Sequence, residues 1–414
     1  MSTISTAEIE QGRPPRAAGI PGWWITVFLF WLGWVFMYAD RTVLNPVMKD
    51  LQTEFGLSAT HLGLISSAFF LSYAVLQIPA GILGDRIGRK KVLVPGFLLF
   101  GVFTAVTGSV KSFWQLIAAR IVTGAGEGTY YGPQYGISSE QIPPQYRSLG
   151  SAIINSGMAF GIALGLMASS FLAYTLGYGW RAPFYLMAVP TILTGLLIWF
   201  LVKENPRPAA AAAQGSQQGA FMALVRNRNL QVTYLMVFCS LFGFFMILTW
   251  LPYYLQTERG IPAKEIGNIT SLVAWVSIPA GLLFARISDR LGRRRPLVAA
   301  LVPIAAVSLV SIAFLRDVNH VIAAICVYGF FGKLALDPVL IAAVADNAPK
   351  QSYGTAYGIF NFVGMSSSIL APTIAGVISD ATGSLAANFY ISAAVLLVGM
   401  AGMMFLKEKG GPAA

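Results

Sequence analysis

Charge is scarce in this chain. Only 11% of its 414 residues are Asp, Glu, Lys or Arg, against about a quarter in an average soluble domain. Hydrophobic residues make up 56% and the mean hydropathy is +0.66. A soluble fold of this length cannot hide so much apolar surface and keep a wettable exterior. Soluble enzymes, nucleic-acid binders and disordered scaffolds are therefore excluded, and a membrane protein is expected. Cysteine and histidine are scarcer still. Cys239 and Cys326 both lie in apolar runs, which gives no disulfide framework. His61 and His320 stand far apart, with no metal-ligand spacing, so neither a metal nor another cofactor is expected. The first nineteen residues are polar and lack an apolar core, so no cleavable signal peptide is expected.

What the chain has instead is long apolar runs. A helix needs about 20 apolar residues to cross the hydrocarbon, and twelve such runs are present. The first six cover 21–45, 60–83, 92–110, 114–136, 149–174 and 182–202; the second six cover 230–255, 266–284, 297–315, 321–344, 354–378 and 386–406. Between them, 203–229 contains Pro206, Pro208, an alanine run and a Gln-Gly-Ser stretch and has the composition of a linker. The expected organisation is an all-α membrane protein: a tail over 1–20, a six-helix bundle over 21–202, the linker, a second bundle over 230–406, and a tail over 407–414. With both termini in the cytoplasm, 18 of the 28 Lys and Arg residues fall on cytoplasmic segments, 6 on the other side and 4 in or beside the spans. That satisfies the positive-inside rule. Topology thus explains the net charge of +11, and no nucleic-acid partner is expected.

A string recurs once per half. Gly81-Ile-Leu-Gly-Asp85-Arg86-Ile-Gly-Arg89-Lys90-Lys91 joins spans two and three; Gly281-Leu-Leu-Phe-Ala-Arg286-Ile-Ser-Asp289-Arg290-Leu-Gly-Arg293-Arg294-Arg295 joins spans eight and nine. The halves are therefore a parallel duplication. A Gly-x-x-x-Asp-Arg-x-Gly-Arg pattern in the first half, repeated in the second with Ala285 in place of the leading glycine, in a twelve-span chain resembles the major facilitator superfamily over nearly the whole sequence. In each loop a carboxylate can cap a helix N-terminus and pair with arginine. Asp85, Arg86, Arg89, Asp289, Arg290 and Arg293 are accordingly expected to act in gating.

Ionisable groups at membrane depth cost several kcal/mol unless paired or hydrated, so each is a functional candidate. Asp40 and Arg41 are adjacent late in span one. Arg120 and Glu127 lie seven apart in span four, two helical turns and so on one side. Lys333 and Asp337 lie four apart in span ten, on one face. Two guanidiniums beside one cavity suit a carboxylate, which they hold bidentately without losing charge. Asp40 and Glu127 can each bind a proton. An anion that neutralises the arginines favours that protonation, which is symport in outline. The alternative from the residues alone is two neutral ion pairs that merely hold helices together.

Asp-Arg near the end of span one, with Arg120-x-x-x-Gly124-x-Gly126-Glu127 in span four, is similar to the anion:cation symporter branch, which includes sugar-acid transporters of the galactonate and hexuronate type. The resemblance implies proton carriers at Asp40 and Glu127 and anion binding by Arg41 and Arg120. Lys333 and Asp337 depart from the sugar-acid pattern, Lys333 as a candidate for a second polar or negative substrate group and Asp337 as its charge balance. Tyr38, Tyr73, Tyr130, Tyr131, Trp250 and Trp275 are aromatic candidates for the cavity, with Gln134 and Asn361 as polar ones. The expected activity is proton-coupled uptake of a small organic carboxylate by a monomer in the lipid bilayer of a bacterial inner membrane, with alternating access and no covalent chemistry. Exchange of organic anions or organophosphates is the alternative, and a non-transporting receptor is an alternative of another class.

Overall fold

The computed structural model describes residues 22–204, 218–349 and 352–408. The expected tail over 1–20, the middle of the linker and the end of the C-terminal tail lie outside these. Every regular element among the described residues is helical. The N-terminal half comprises α1 (Gly22–Val43), a 3-10 turn (Asn45–Val47), α2 (Met48–Phe55), α3 (Ala59–Ile87), α4 (Arg89–Ser109), α5 (Phe113–Gly128), α6 (Tyr131–Gln141), α7 (Arg147–Ser170) and α8 (Ala182–Leu201). A short α9 (Gln218–Arg226) lies within the segment expected as linker. The C-terminal half comprises α10 (Arg228–Thr257), α11 (Ala263–Leu291), α12 (Arg295–Phe314), α13 (Val318–Phe331), α14 (Lys333–Asn347), α15 (Tyr353–Thr382) and α16 (Ala386–Met403).

Eleven helical stretches are long and apolar enough to span a bilayer. The twelfth span is broken. The run expected over 114–136 divides at Thr129 and Tyr130 into α5 and α6, because Pro133 brings no N–H for the carbonyl four residues before it and Gly124, Gly126 and Gly128 have low helix propensity. The tenth span breaks likewise at Gly332 and carries Pro338 in its second piece. Neighbouring helices around these breaks make such interruptions tolerable at membrane depth.

The halves meet through a reciprocal arrangement. The second span of each half packs on the fifth span of the other, α3 against α15 and α11 against α7, as a pseudo-two-fold requires. The bonds between halves cluster at the end away from the two basic loops. Asn45 Nδ2 donates to the Leu248 carbonyl at 2.8 Å and Tyr253 Oη to Gln52 Oε1 at 2.6 Å. Gly267 N donates to Ser170 Oγ at 2.9 Å. Asp380, near the end of α15, accepts from Ala59 N at 2.9 Å and from Thr60 N at 2.8 Å, the first turn of α3, and from Thr60 Oγ1 at 2.5 Å. One half therefore caps a helix of the other, with a carboxylate placed on the positive end of that helix's dipole. The helices touch backbone to backbone here. A Cβ on Gly63 would sit 2.3 Å from the Pro372 carbonyl, and one on Gly376 2.5 Å from that of Ala59.

Candidate functional site

The glycine run of α5 sets up the site. A Cβ at Gly124 would lie 2.2 Å from the Phe69 carbonyl of α3, so only glycine lets α5 approach that closely. The approach carries Arg120 and Glu127 inward to α1, where the four charges pair crosswise. Arg41 Nε donates to Glu127 Oε2 at 2.7 Å, and Arg120 Nη1 donates to Asp40 Oδ2 at 2.7 Å. Each pair thus joins α1 to α5. All four side chains are at most 3% exposed.

Surrounding groups complete the cluster. Thr104 Oγ1 of α4 donates to Asp40 Oδ1 at 2.8 Å. The Arg41 guanidinium lies 4.7 Å from the Tyr38 ring centroid and 4.6 Å from that of Tyr73, and the Arg120 guanidinium 4.5 Å from that of Phe69, distances at which a cation is attracted to a ring face. Three buried polar atoms of the cluster make no hydrogen bond among the described residues: Arg41 Nη2, Arg120 Nε and Glu127 Oε1. A buried donor without an acceptor costs about 1–3 kcal/mol. An anion entering the cluster can supply an acceptor to these two guanidinium donors.

Lys333 and Asp337 form the third pair, in the other half. Lys333 Nζ stands 2.5 Å from Asp337 Oδ2 and 5.3 Å from the Phe244 ring of α10. The Asp337 side chain is 25% exposed, the most accessible carboxylate of the three pairs. An aromatic path connects this pair to the first cluster. Phe244 meets Phe245 edge to face at 5.6 Å, Phe245 meets Phe70 of α3 edge to face at 4.8 Å, and Phe70 lies 5.7 Å from the Arg41 guanidinium. Tyr131 of α6 interacts electrostatically with Tyr38 and Tyr73 beside the first cluster and with Asp337 of the third pair.

Other expected binding residues spend their polar groups on the protein. Tyr130 is fully buried and donates to the Phe30 carbonyl at 2.8 Å. Gln134 is also buried, accepts from Trp34 Nε1 at 3.2 Å and donates to Ser138 Oγ. Trp250 donates to the Pro372 carbonyl at 3.1 Å and so ties α10 to α15. Asn361 Nδ2 reaches Gln77 Oε1 across the halves at 3.4 Å, and Trp275 packs on Phe160. These contacts engage the polar groups of Tyr130, Gln134 and Trp250 in the packing of the helices. Thr104, Phe69 and Phe70 went unnoticed in the sequence because nothing distinguishes one apolar or hydroxyl residue of a span from its neighbours. Among the described residues no group of three or more His, Cys, Asp and Glu comes together as a metal-ligand set.

The basic loops hold a second surprise. Arg89 pairs with Asp85 at 3.1 Å and with Glu140 at the end of α6 at 2.7 Å. Glu204 caps the start of α4, accepting from Arg89 N at 2.6 Å and from Lys90 N at 3.0 Å. In the second half the corresponding work falls to Arg294, not to the expected Arg293. Arg294 pairs with Asp346 at 2.9 Å and donates to the Ser288 carbonyl and Oγ, while Glu408 accepts from Arg294 N and from Arg295 N. The shift follows from helix phasing: α4 begins at Arg89 directly after Gly88, whereas α12 begins at Arg295. Arg86, Asp289, Arg290 and Arg293 are exposed. Glu140, Glu204, Asp346 and Glu408 lay outside the repeated string and were missed.

The sequence of this chain matches the model of the Major Facilitator Superfamily twice, over residues 30–263 and 233–414. The chain belongs to the major facilitator superfamily. It is a multi-pass transporter and not an enzyme. Among proteins of this superfamily it is 29% identical over 397 residues to the probable galactarate/D-glucarate transporter GudP of Bacillus subtilis (strain 168), covering 87% of this chain and 86% of that one. It is 30% identical over 391 residues to the probable sulfoacetate transporter SauU of Cupriavidus necator, covering 89% and 90%. The fold matches the crystal structure of a bacterial homolog to the human lysosomal transporter Spinster with a TM-score of 0.79 at 18% identity, covering 96% of this chain and all of that one.

Proposed function

We propose that this major facilitator carries small organic carboxylates inward across a bacterial inner membrane together with protons. The observation that carries the reading is the crosswise pair of buried ion pairs with guanidinium donors left over. In the empty carrier Arg41 and Arg120 are neutralised by Glu127 and Asp40. A substrate carboxylate competes for the two forks, taking the free Arg41 Nη2 and Arg120 Nε first. As it does so, Glu127 and Asp40 lose their counter-charges at a depth where a bare carboxylate is expensive, so each gains reason to hold a proton. Tyr38 and Tyr73 flank the Arg41 fork and confine the substrate, while Tyr130, Gln134 and Trp250 hold the helices. The two relatives named for galactarate/D-glucarate and sulfoacetate support the anionic class of the substrate.

The basic loops belong in the cytoplasm by the positive-inside rule, which puts both termini there and makes 21–202 and 230–406 two bundles joined by 203–229. On that orientation the bonds that join the halves close the outer end, the arrangement of an inward-open carrier, and Arg89 and Arg294 hold the cytoplasmic loops. Purified monomer in liposomes with an alkaline interior and clamped potential tests the reading, with sugar acids, aromatic acids and dicarboxylates as probes. Accumulation of a carboxylate that vanishes with a protonophore is expected. Movement only against a preloaded internal anion, indifferent to the pH gradient, would replace symport by exchange. Binding without movement would make the chain a receptor.

A further inference from the structure

The uptake reading rests on the N-terminal cluster and leaves the third ion pair without a task. We infer, on the uptake reading, that Asp337 is a further proton carrier beside Asp40 and Glu127, used only when the substrate has two acidic groups: the substrate's second carboxylate displaces Asp337 from Lys333, and the freed Asp337 takes up a proton.

The inference follows from charge balance at membrane depth. Arg41, Arg120 and Lys333 face Glu127, Asp40 and Asp337, so the empty site is neutral. A monoanion restores neutrality with one proton on the N-terminal carboxylates. A dianion with one proton leaves a net negative charge in a low-dielectric cavity, which costs far more than binding a second proton. That second proton needs an acceptor that the substrate has just displaced and that the cavity can reach. Asp337 meets both conditions, because its one ion-pair partner among the described residues is Lys333 and its side chain is 25% exposed against 0% for Glu127 and 1% for Asp40.

The surroundings of the pair suit an incoming anion. Gly332 breaks the tenth span so that α14 starts at Lys333, which puts the positive end of a 15-residue helix dipole beside the ammonium. Of the elements packed nearby, α10 presents the Phe244 ring to Lys333 and α6 presents the Tyr131 phenol toward Asp337. Lys333 and Tyr131 are the groups that face Asp337. The edge-to-face contacts of Phe244, Phe245 and Phe70 run from Lys333 to Arg41 and so couple the two sites through the packing. In the step itself, a proton from the outer side bonds to Asp337 Oδ2 as the substrate oxygen replaces it on Lys333. On release inside, the substrate and that proton leave and the Lys333 to Asp337 pair closes again.

Proton-to-substrate ratios in liposomes test this, with galactarate against galactonate and cis,cis-muconate against sorbate as diacid and monoacid of equal length. The parent is expected to move two protons with a diacid and one with a monoacid, so that neither flux responds to membrane potential. Asp337→Asn should lower the diacid ratio to one, and an inside-negative potential should then slow diacid entry, because a net negative charge crosses. The ratio is independent of turnover, so a slower variant still reports. Should Asp337→Asn fail to fold with Lys333 stranded, the parent's own two ratios and their indifference to membrane potential still decide the inference. A ratio of two with a diacid in Asp337→Asn, a ratio of one with a diacid in the parent, or movement of the monoacids but of neither diacid overturns the inference while the uptake reading stands. Absence of proton movement with every probe overturns the uptake reading itself.

Discussion

Glu127→Gln separates the two jobs assigned to the N-terminal cluster. The amide keeps the shape of the carboxyl and an oxygen to accept from Arg41 Nε, now at 2.7 Å from Glu127 Oε2, but it cannot gain and lose a proton. At that distance and an effective dielectric constant of about 20 the pair is worth about 6 kcal/mol of Coulomb energy. Removing one member of a buried pair typically costs 3–5 kcal/mol, mostly as an uncompensated charge. The empty variant therefore carries a stranded positive Arg41, and an anionic substrate relieves it. Return of only about a quarter of the Coulomb energy on binding, about 1.4 kcal/mol, tightens Kd tenfold. The expected phenotype is a lower melting temperature without ligand, a larger stabilisation by ligand than in the parent, retained exchange between preloaded vesicles, and no accumulation driven by a pH gradient. Isothermal titration and uptake into proteoliposomes measure both halves. Full concentrative uptake by the variant would refute the proton role of Glu127, and a tenfold loss of affinity would refute the electrostatic account of binding.

Arg120→Lys should lose at least tenfold in substrate affinity although it keeps the charge, since an ammonium cannot offer two parallel donors; a Kd within about twofold of the parent would make Arg120 a source of field only. Asp380→Asn removes a carboxylate from the start of α3 and should shift the carrier toward the state open at that end by about 5- to 30-fold, from roughly 1–2 kcal/mol of helix-dipole and hydrogen-bond energy. Spin labels at Lys111 and Lys264, exposed at that end on opposite halves, would report it as a population at longer distance. Arg294→Ala should cost about 1.5–3 kcal/mol for its lost charge-assisted bonds and Arg293→Ala less than about 0.5 kcal/mol; equal melting temperatures for the two would show that the string, not the helix phase, decides which arginine works.

Much of this was legible in the sequence because membrane depth magnifies a few residues. A soluble protein hides its working carboxylates among dozens of solvated ones, whereas here Asp40, Arg41, Arg120, Glu127, Lys333 and Asp337 stand out by being in the spans at all. Spacing gave the Lys333 to Asp337 pair, since partners four apart share a helix face. It could not give the crosswise pairing of α1 with α5, which depends on where α3 seats α5 and hence on the backbone contact between α5 and α3 at Gly124. The break at Thr129 was hidden because a hydropathy window registers apolarity and not hydrogen-bond continuity. The aromatic candidates were the weakest guide. Tyr130 and Trp250 look the same in sequence as Tyr38 and Tyr73, and only the packing shows that the former donate to carbonyls while the latter flank a guanidinium. The acidic partners at the basic loops were missed for another reason. Glu204 and Glu408 come at the far end of each six-helix half, and their meeting with α4 and α12 is a tertiary fact.

The placement of the seal and of the ion pairs suggests why the carrier is not held in one state by either. The end away from the basic loops is closed by short-range contacts with little charge inside them: glycine against carbonyl, Ser67 and Thr373 hydroxyls, and the Asp380 carboxylate on a helix end. Such contacts are individually worth about 0.5–1.5 kcal/mol and can be exchanged for an equivalent set at the other end. The buried charges, by contrast, are worth several kcal/mol each and must never be left bare. They pair within a half, Arg41 with Glu127, Arg120 with Asp40 and Lys333 with Asp337, and none of the three pairs spans the interface. Rocking one half against the other therefore breaks no strong pair. On the proposed mechanism, rocking changes which solution the site meets, and so whether an anion and its protons enter or leave. A substrate bound between Arg41 in one half and Lys333 in the other would be the one strong link across the interface, which gives a loaded carrier a different closing energy from an empty one without asking the protein to separate its own charges.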